Sequence, residues 1–241
     1  MNTSDNIRNK ITKLENSYVF TSKDFLSEVD MQGAIIKCLN RMVSSGEITK
    51  LSKGKYYKQQ ETRFGDAVPE QYQIVKDLLE ENGKIIGYTT GNGYFNVLGL
   101  TTQVSSMIQI GRNDSKASIK RGRFSISFIK QKNTITKENI PLLRVLDAIR
   151  LIKKIPDTTV DLSCIRLLAI LKKLNNKETE RIAKLALKYP PSAQALLGAL
   201  LEKENKKSAL EILKKSLNKI STYKYNITEK TLPTLRNWNI K

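Results

Sequence analysis

Residues 31–58 read MQGAIIKCLNRMVSSGEITKLSKGKYYK, and this stretch decides the predicted fold. Apolar residues recur at helical spacing from Met31 to Ser45, which predicts an amphipathic helix that ends at Gly46. Apolar and polar residues then alternate over 47–52, and a second extended segment at 55–58 follows a Lys-Gly turn, which together predict a two-stranded ribbon. The apolar stripe of the predicted helix consists of Ile35, Cys38, Leu39, Met42 and Val43.

The segment before this helix carries signals for two further helices. Apolar residues at helical spacing predict a first helix over Asn6–Glu15, and residues 18–20 read as a short extended piece. Thr21 is the expected N-cap of a second, short helix, because Asp24 follows three residues later as in a capping box. Three helices followed by a two-stranded ribbon are the outline of a winged helix-turn-helix, which we assign to residues 1–60.

The polar side of the helix at 31–45 predicts contacts with DNA. A helix of about 15 residues fits the major groove, where its outward side chains reach base edges. Arg41 is suited to guanine and Asn40 or Gln32 to adenine, while lysines on the ribbon are suited to phosphates. The alternative is that a winged helix serves only in protein interaction or dimerisation. The predicted DNA-binding residues are Gln32, Lys37, Asn40, Arg41, Lys53 and Lys55.

The remainder of the chain, residues 66–241, is predicted to form a mixed α/β domain after a polar, unpatterned linker at 59–65. Alternating apolar residues indicate strands within 66–132, including 107–110 and 124–129. The loop between those two strands carries a second basic patch with aromatic residues behind it. Such a patch is suited to tracking a phosphate backbone, or alternatively it is a solvated loop of a lysine-rich protein. The patch consists of Arg112, Lys116, Lys120, Arg121 and Arg123.

From residue 137 to 220 the pattern becomes helical, with an apolar stripe on each predicted helix. The tail at 221–241 has an irregular pattern. Its aromatic and aliphatic residues, Trp238 among them, predict that it packs back on the domain or contacts a partner. We therefore expect an α+β fold, with an N-terminal winged helix-turn-helix followed by a mixed α/β domain with a helical C-terminal part.

The composition restricts the chemistry. Lys and Arg total 42 against 23 Asp and Glu, a net charge of +19, and histidine is absent. The missing imidazole excludes Ser-His-Asp catalysis and histidine-ligated metals, and Cys38 and Cys164 are too few for a thiolate metal site. The glycine-rich segment 87–100 lacks the Gly-Lys-Ser/Thr of a phosphate loop. We expect no cofactor, no metal and no enzymatic activity.

The net charge bears on the kind of partner, and the distribution of apolar residues bears on the location of the protein. A strongly basic chain favours a polyanionic partner, although an AT-rich genome that fills exposed faces with lysine explains part of the excess. Residues 1–60 carry 10 basic and 6 acidic residues, a net of +4, whereas residues 131–241 carry 23 and 10, a net of +13. Neither a signal peptide nor a membrane-spanning apolar run of about 18–20 residues is recognisable, so we expect a cytoplasmic protein with no membrane partner.

Three further segments, in their order and spacing, resemble motifs of the AbiEi-type antitoxins. These antitoxins belong to the type IV, abortive-infection (AbiE) toxin–antitoxin systems. Together with the N-terminal winged helix, the resemblance covers roughly residues 5–205. The segments are Gly87–Val104, which contains GLTTQV at 99–104, Lys137–Leu143 (KENIPLL) and Ala186–Pro191 (ALKYPP), the last continuing to Ala195–Glu202 (ALLGALLE).

The resemblance implies an antitoxin that counteracts a nucleotidyltransferase-like toxin without a stable complex. It also implies a transcriptional autorepressor that binds double-stranded DNA at inverted repeats of its own promoter, as part of phage defence. The family's DNA contacts correspond to the same six residues of the helix and ribbon. The alternative is a plain winged-helix transcriptional regulator with a C-terminal ligand-binding or oligomerisation domain. An RNA-directed or nucleotide-handling enzyme is disfavoured, because histidine and a metal-binding carboxylate pair are both missing.

Overall fold

The computed structural model describes residues 3–26, 32–63 and 65–241, and the chain groups into two compact units. The first unit contains the chain up to Leu78 together with Ile119–Ser125, and the second contains Leu79–Ser118 and Ile126–Lys241. Met31, the predicted start of the third helix, lies outside the described residues.

Helices and antiparallel strands follow one another along the chain, which confirms an α+β fold. No helix formed by the described residues is long and apolar enough to cross a membrane. The helices are α1 (Thr3–Lys13), α2 (Gln32–Ser44), α3 (Gln71–Leu79), α4 (Asn92–Val97), α5 (Ile140–Leu151), α6 (Val160–Lys172), α7 (Asn176–Ala186), α8 (Pro191–Lys203) and α9 (Leu210–Ser216). The strands are β1 (Val19–Thr21), β2 (Thr49–Ser52), β3 (Lys55–Tyr57), β4 (Gln60–Thr62), β5 (Gly65–Ala67), β6 (Glu80–Glu81), β7 (Lys84–Ile85), β8 (Gly87–Thr90), β9 (Met107–Arg112), β10 (Ile119–Arg121) and β11 (Phe124–Lys130).

The core of the first unit is built by α1, α2 and the strands that follow them. Between the two helices, Thr21 caps a short 3₁₀ helix, and its backbone N–H donates to Asp24 at 2.6 Å, so the predicted capping box is present. Phe20 and Phe25 flank this cap with their rings edge to face at 5.7 Å, which fixes the entry of the chain into the turn. The core residues are Ile7, Ile11, Phe20, Phe25, Ile35, Cys38, Leu39, Met42, Ile48 and Tyr56.

A three-stranded sheet with the order β1-β3-β2 completes the first unit. Its central strand β3 is antiparallel to both neighbours, and Tyr57 stands opposite Val19 on one side and Thr49 on the other. The turn from β2 to β3 needs a left-handed backbone at Gly54, whose φ is +72°, a conformation that glycine adopts without a Cβ penalty. The helix and the ribbon predicted from residues 31–58 thus form, and a third strand joins the ribbon.

The polar segment at 59–65, which we expected to be a linker, contains structure instead. Strands β4 and β5 pair antiparallel, with Gln60 opposite Ala67. A short hairpin of polar residues carries no apolar alternation, so the sequence pattern did not indicate it. The compact units also differ from the predicted domains, residues 1–60 and 66–241, since the first unit extends to Leu78.

The second unit combines the paired strands β8 and β9 with the helices α5 to α9. Helix α8 is the centre of the helical part, because residues 193–201 are all buried. Two apolar residues that the sequence pattern placed in the core, Val97 before the strand at 107–110 and Ile165 in the helical part, are exposed by 67% and 54%. For α6 the apolar spacing favoured a stripe of Ile165, Leu168 and Leu171. Leu171 is buried as expected, but the other core-facing apolar residues are Cys164 and Leu167.

The tail at 221–241 packs on the second unit, as its apolar residues predicted. The backbone N–H of Tyr223 donates to the carbonyl of Asn239 at 2.8 Å, and Lys241 donates back to Tyr223 at 2.8 Å. Trp238 is buried against α8, and its indole N–H donates to Glu202 at 2.6 Å. The tail is therefore part of the core and not a free extension.

Gly198 lies in α8 where the tail approaches the helix most closely. A Cβ atom added there would lie 2.2 Å from Cζ3 of Trp238. We expect Gly198→Ala to lower the free energy of unfolding by about 1–3 kcal/mol, because the indole must move, although alanine is the better helix former by about 1 kcal/mol. Chemical denaturation measures the change. In a Trp238→Ala background the same substitution should be neutral or stabilising, and equal destabilisation in both backgrounds would contradict this contact.

Candidate nucleic-acid interface

Helix α2 has one face fixed in the core and the opposite face exposed to solvent. Ile35 and Leu39 are fully buried on the inner face. Beyond the helix, Arg8 of α1 donates to both carboxylate oxygens of Glu47, at 2.9 and 3.1 Å, and thereby ties α1 to the turn that follows α2. The exposed face carries the four predicted contact residues of the helix: Gln32, Lys37, Asn40 and Arg41.

Lys37 and Arg41 supply the positive charge of this face. They lie four residues apart, so they are neighbours on the helix surface. Among the residues that the structure describes, the side chain of neither forms an ion pair or a hydrogen bond. Their charged groups are therefore available to an incoming anion, and a guanidinium is suited to bidentate contacts with guanine or phosphate.

Asn40 is oriented by a hydrogen bond from within the unit. The Tyr56 hydroxyl donates to its Oδ1 at 3.2 Å, and the Tyr56 ring stacks on Phe20 at 6.2 Å between centroids. Because the carbonyl oxygen is engaged, the amide N–H groups are the free end of this side chain. A bidentate contact with adenine, as we predicted, requires Asn40 to share Oδ1 between the base and Tyr56.

The two predicted contact residues of the ribbon differ in their surroundings. Lys53 is exposed in the turn between β2 and β3. Lys55, by contrast, is only 16% exposed along its side chain, and its Nζ lies 2.9 Å from Oδ2 of Asp77 on α3. The ammonium of Lys55 is thus engaged within the unit, while Lys53 remains available to a ligand.

Asp77 joins the ribbon to the hairpin of β10 and β11. Arg121 donates to both of its carboxylate oxygens, at 2.6 and 2.9 Å, and also to the carbonyl of Ile74. Burial raises the pKa of Asp77, but the hydrogen bonds from Arg121 and Lys55 outweigh that effect, so its pKa lies below the ordinary value. The backbone N–H of Gly122 donates to Leu51 of β2 at 3.0 Å, which fixes the tip of the hairpin beside the ribbon.

The second basic patch that we predicted is divided between the two units. Lys120 and Arg123 are exposed on either side of Gly122, and they lie in the first unit with the ribbon. Arg121 is buried in the same unit. In the second unit, Lys116 is exposed, whereas Arg112 is buried and donates to Asp114 at 2.6 and 3.1 Å. Two of the five predicted cations, Arg112 and Arg121, are therefore buried and held by carboxylates. Lys120 and Arg123 extend the exposed basic face around the ribbon within the first unit.

A buried polar cluster in the second unit escaped sequence reasoning. Asp147 of α5 is 2% exposed and accepts three hydroxyl hydrogen bonds, each 2.8 Å long, from Tyr88, Thr90 and Tyr189. Gln131 donates from Nε2 to the hydroxyl oxygens of Tyr88 and Tyr189, at 2.8 Å in both cases. Each tyrosine hydroxyl therefore accepts one hydrogen bond while it donates another to Asp147. Burial raises the pKa of Asp147 despite the hydrogen bonds that favour its charged form.

Local geometry explains how the cluster assembles. Tyr88 and Thr90 alternate on β8 and so face α5 together. The ring of Tyr88 lies across Gly111 of β9, where a Cβ would be 2.5 Å from the ring. One sequence signal could have indicated the cluster. Asp147 lies four residues after Leu143, so it shares the apolar face of α5, where an unpaired carboxylate is unexpected. In the described part of the chain, no group of three cysteine or carboxylate side chains is placed to hold a metal ion.

Comparison with known proteins bears on the family and the fold. Residues 6–180 match the model of DUF6088, a family of unknown function. The chain belongs to this family. No curated protein matches the sequence. The crystal structure of the RV2827C protein from Mycobacterium tuberculosis is similar to this chain, with a TM-score of 0.59 at 11% identity, and the match covers 99% of this chain and 88% of that one. At that identity the similarity concerns the fold alone.

Proposed function

We propose that this DUF6088 chain is an AbiEi-type antitoxin and autorepressor. In this proposal the first unit is a winged helix-turn-helix that binds promoter DNA of its own operon, and the second unit counteracts a nucleotidyltransferase-like toxin. The observation that carries the DNA-binding part is the exposed face of α2. Lys37 and Arg41 stand there without a described partner, beside the donor groups of Asn40.

The arrangement of the first unit supports a winged helix-turn-helix. In the chain, the short 3₁₀ helix and α2 lie between β1 and the β2–β3 ribbon. In the sheet, whose order is β1-β3-β2, the ribbon pairs directly with β1. In such a domain the helix before the ribbon enters the major groove, and the turn of the ribbon contacts the backbone beside it. Here that turn carries the exposed Lys53.

The distribution of free and engaged cations supports a DNA-facing side. On the ribbon and the neighbouring hairpin, Lys55 and Arg121 are held by Asp77, whereas Lys53, Lys120 and Arg123 are exposed. The engaged cations connect the hairpin to the ribbon, and the exposed ones are suited to phosphates. Phosphate contacts of this kind position a protein on DNA, while α2 supplies the groups that reach base edges.

The antitoxin part of the proposal rests on the resemblance of the second unit. Its segments Gly99–Val104, Lys137–Leu143 and Ala186–Pro191 follow the order of the AbiEi-type motifs. Two of these segments lie at the buried cluster. Lys137–Leu143 ends one helical turn before Asp147 on α5, and Ala186–Pro191 contains Tyr189, whose hydroxyl donates to the Asp147 carboxylate. These motifs therefore belong to the packed centre of the unit proposed to act on the toxin.

Binding of the purified full chain to a DNA fragment from its own promoter tests the first half. We expect specific binding whose affinity falls steeply with salt, because the exposed cations displace counterions from the phosphates. Fluorescence anisotropy against a scrambled fragment of equal length measures it. Equal affinity for both fragments at every salt concentration would contradict sequence-specific repression.

Co-expression with the product of the neighbouring reading frame tests the second half. If that product arrests growth, we expect this chain to restore it. Failure to restore growth while the chain is folded and present would exclude the antitoxin role, and promoter binding would then favour a plain regulator. The two halves can thus fail separately.

A further inference from the structure

A basic cleft lies at the surface of the second unit, whereas the six residues assigned to DNA belong to the first unit. Its volume is about 400 Å³, which is within the range of small-molecule sites. It opens where the end of β11 meets the turn between α7 and α8 and the last turn of α5. The cations that line it are Lys130, Lys132, Arg150 and Lys188.

These four cations are all exposed, and none of them forms an ion pair with a carboxylate among the residues that the structure describes. No acidic side chain belongs to the lining. Arg150 interacts electrostatically with the buried Asp147 below the cleft. At the surface of the cleft the like charges repel one another, so an anion that neutralises them gains binding energy that a single exposed cation does not give. The lining therefore favours a ligand with several negative charges.

The floor of the cleft consists of buried side chains that are hydrogen-bonded to one another. Gln131 and Tyr189 line it from below and bond to one another at 2.8 Å, as part of the buried Asp147 cluster. Because side chains alternate along an extended backbone, Gln131 points inward while Lys130 and Lys132 point outward. Lys188 is fixed at the rim by a hydrogen bond from its Nζ to the carbonyl of Lys132 at 3.3 Å.

The lining also contains apolar side chains. They are Leu187, Pro190 and Pro191. A lining that combines cations with apolar side chains matches a ligand that combines phosphates with a flat ring. We propose that this cleft binds a free nucleotide with a polyphosphate chain, the phosphates on the four cations and the nucleoside against the prolines. This inference stands independently of the proposed antitoxin function.

Equilibrium binding to the full chain tests the proposal, by calorimetry at low salt with ATP, GTP, tripolyphosphate and adenosine as probes. We expect the triphosphates to bind, tripolyphosphate to bind more weakly and adenosine not to bind measurably. The double variant Lys130→Gln/Lys188→Gln should weaken triphosphate binding by about tenfold or more, because it removes two of the four ammonium and guanidinium groups that contact the phosphates.

The matched control is Lys173→Gln/Lys203→Gln, which removes the same charge from exposed positions of the same unit outside the cleft. Its affinity for triphosphates should stay at the wild-type level. An equal loss in both double variants, or no triphosphate binding by the folded wild type, would overturn the proposal. Binding of a 5′-phosphorylated oligonucleotide but of no free nucleotide would likewise overturn it and would assign the cleft to a nucleic-acid end.

Discussion

Alanine at both Lys37 and Arg41 is expected to weaken binding of the chain to its promoter by about 2 kcal/mol or more, roughly 30-fold, since each lost contact to a base or phosphate costs on the order of 1–3 kcal/mol. Both side chains lie on the exposed face of α2, so their removal leaves the buried face of the helix intact. Toxin neutralisation should be unchanged, because the proposal assigns it to the second unit.

Anisotropy titration and the growth-rescue assay measure the two activities of this variant. The matched control is Lys13→Ala with Arg63→Ala, which removes one lysine and one arginine from exposed positions of the first unit outside α2. The control should bind DNA with nearly wild-type affinity. If the α2 variant is folded and still binds specifically, α2 does not read the DNA; if it loses both activities, the two functions are not separable.

Alanine at Asp147 is expected to lower the free energy of unfolding by about 3–5 kcal/mol, because it leaves buried hydroxyl groups without their acceptor. Tyr88, Thr90 and Tyr189 each donate to this carboxylate at 2.8 Å. Because all three hydroxyl-bearing residues are buried, none of them finds a replacement partner of equal quality. Chemical denaturation measures the loss, with Glu180→Ala on the exposed side of α7 as a control of little effect.

Asparagine at the same position separates hydrogen bonding from charge. Burial raises the pKa of Asp147 above its value in the unfolded chain. The carboxyl group therefore contributes its full stabilisation below the unfolded-state pKa, and this contribution declines as the pH rises through the folded-state pKa. Asp147→Asn keeps one carbonyl acceptor and never ionises. We therefore expect it to be less destabilising than alanine, and its deficit relative to the wild type to shrink as the pH increases. A deficit that grows with pH would show that the charged form is the preferred one.

Several features of the first unit follow from neighbours in the sequence. Ile35, Leu39 and Met42 repeat at helical spacing, and Gly46 ends the pattern, so the bounds of α2 and its exposed face were predictable. The cap at Thr21 was predictable for the same reason, since Asp24 is one helical turn away. Helical periodicity and capping depend only on nearby residues. Both are therefore predictable wherever the apolar face of the element is the face that packs into the core.

The missed features involve residues far apart in the chain. Lys55 and Arg121 looked like equivalent surface cations, but both are bound by Asp77, which lies 44 residues before Arg121. On α6 the prediction placed Ile165 and Leu168 in the core where Cys164 and Leu167 are buried, because packing against α8 decides which side of that helix is covered. Neither the pairing of these charges nor the covered side of α6 can be predicted from the spacing of neighbouring residues.

The sequence by itself determined the α+β class, the helix and ribbon at residues 31–58, and the basic face that a polyanion would meet. Only the tertiary structure decided which cations stay free and which are neutralised, and it alone assembled Asp147 with Tyr88 and Tyr189, which are 59 and 42 residues away. The physical reason is that periodicity records which side of an element is apolar. The pairing of charges and the burial of a carboxylate depend on which elements meet, and that is a property of the folded chain.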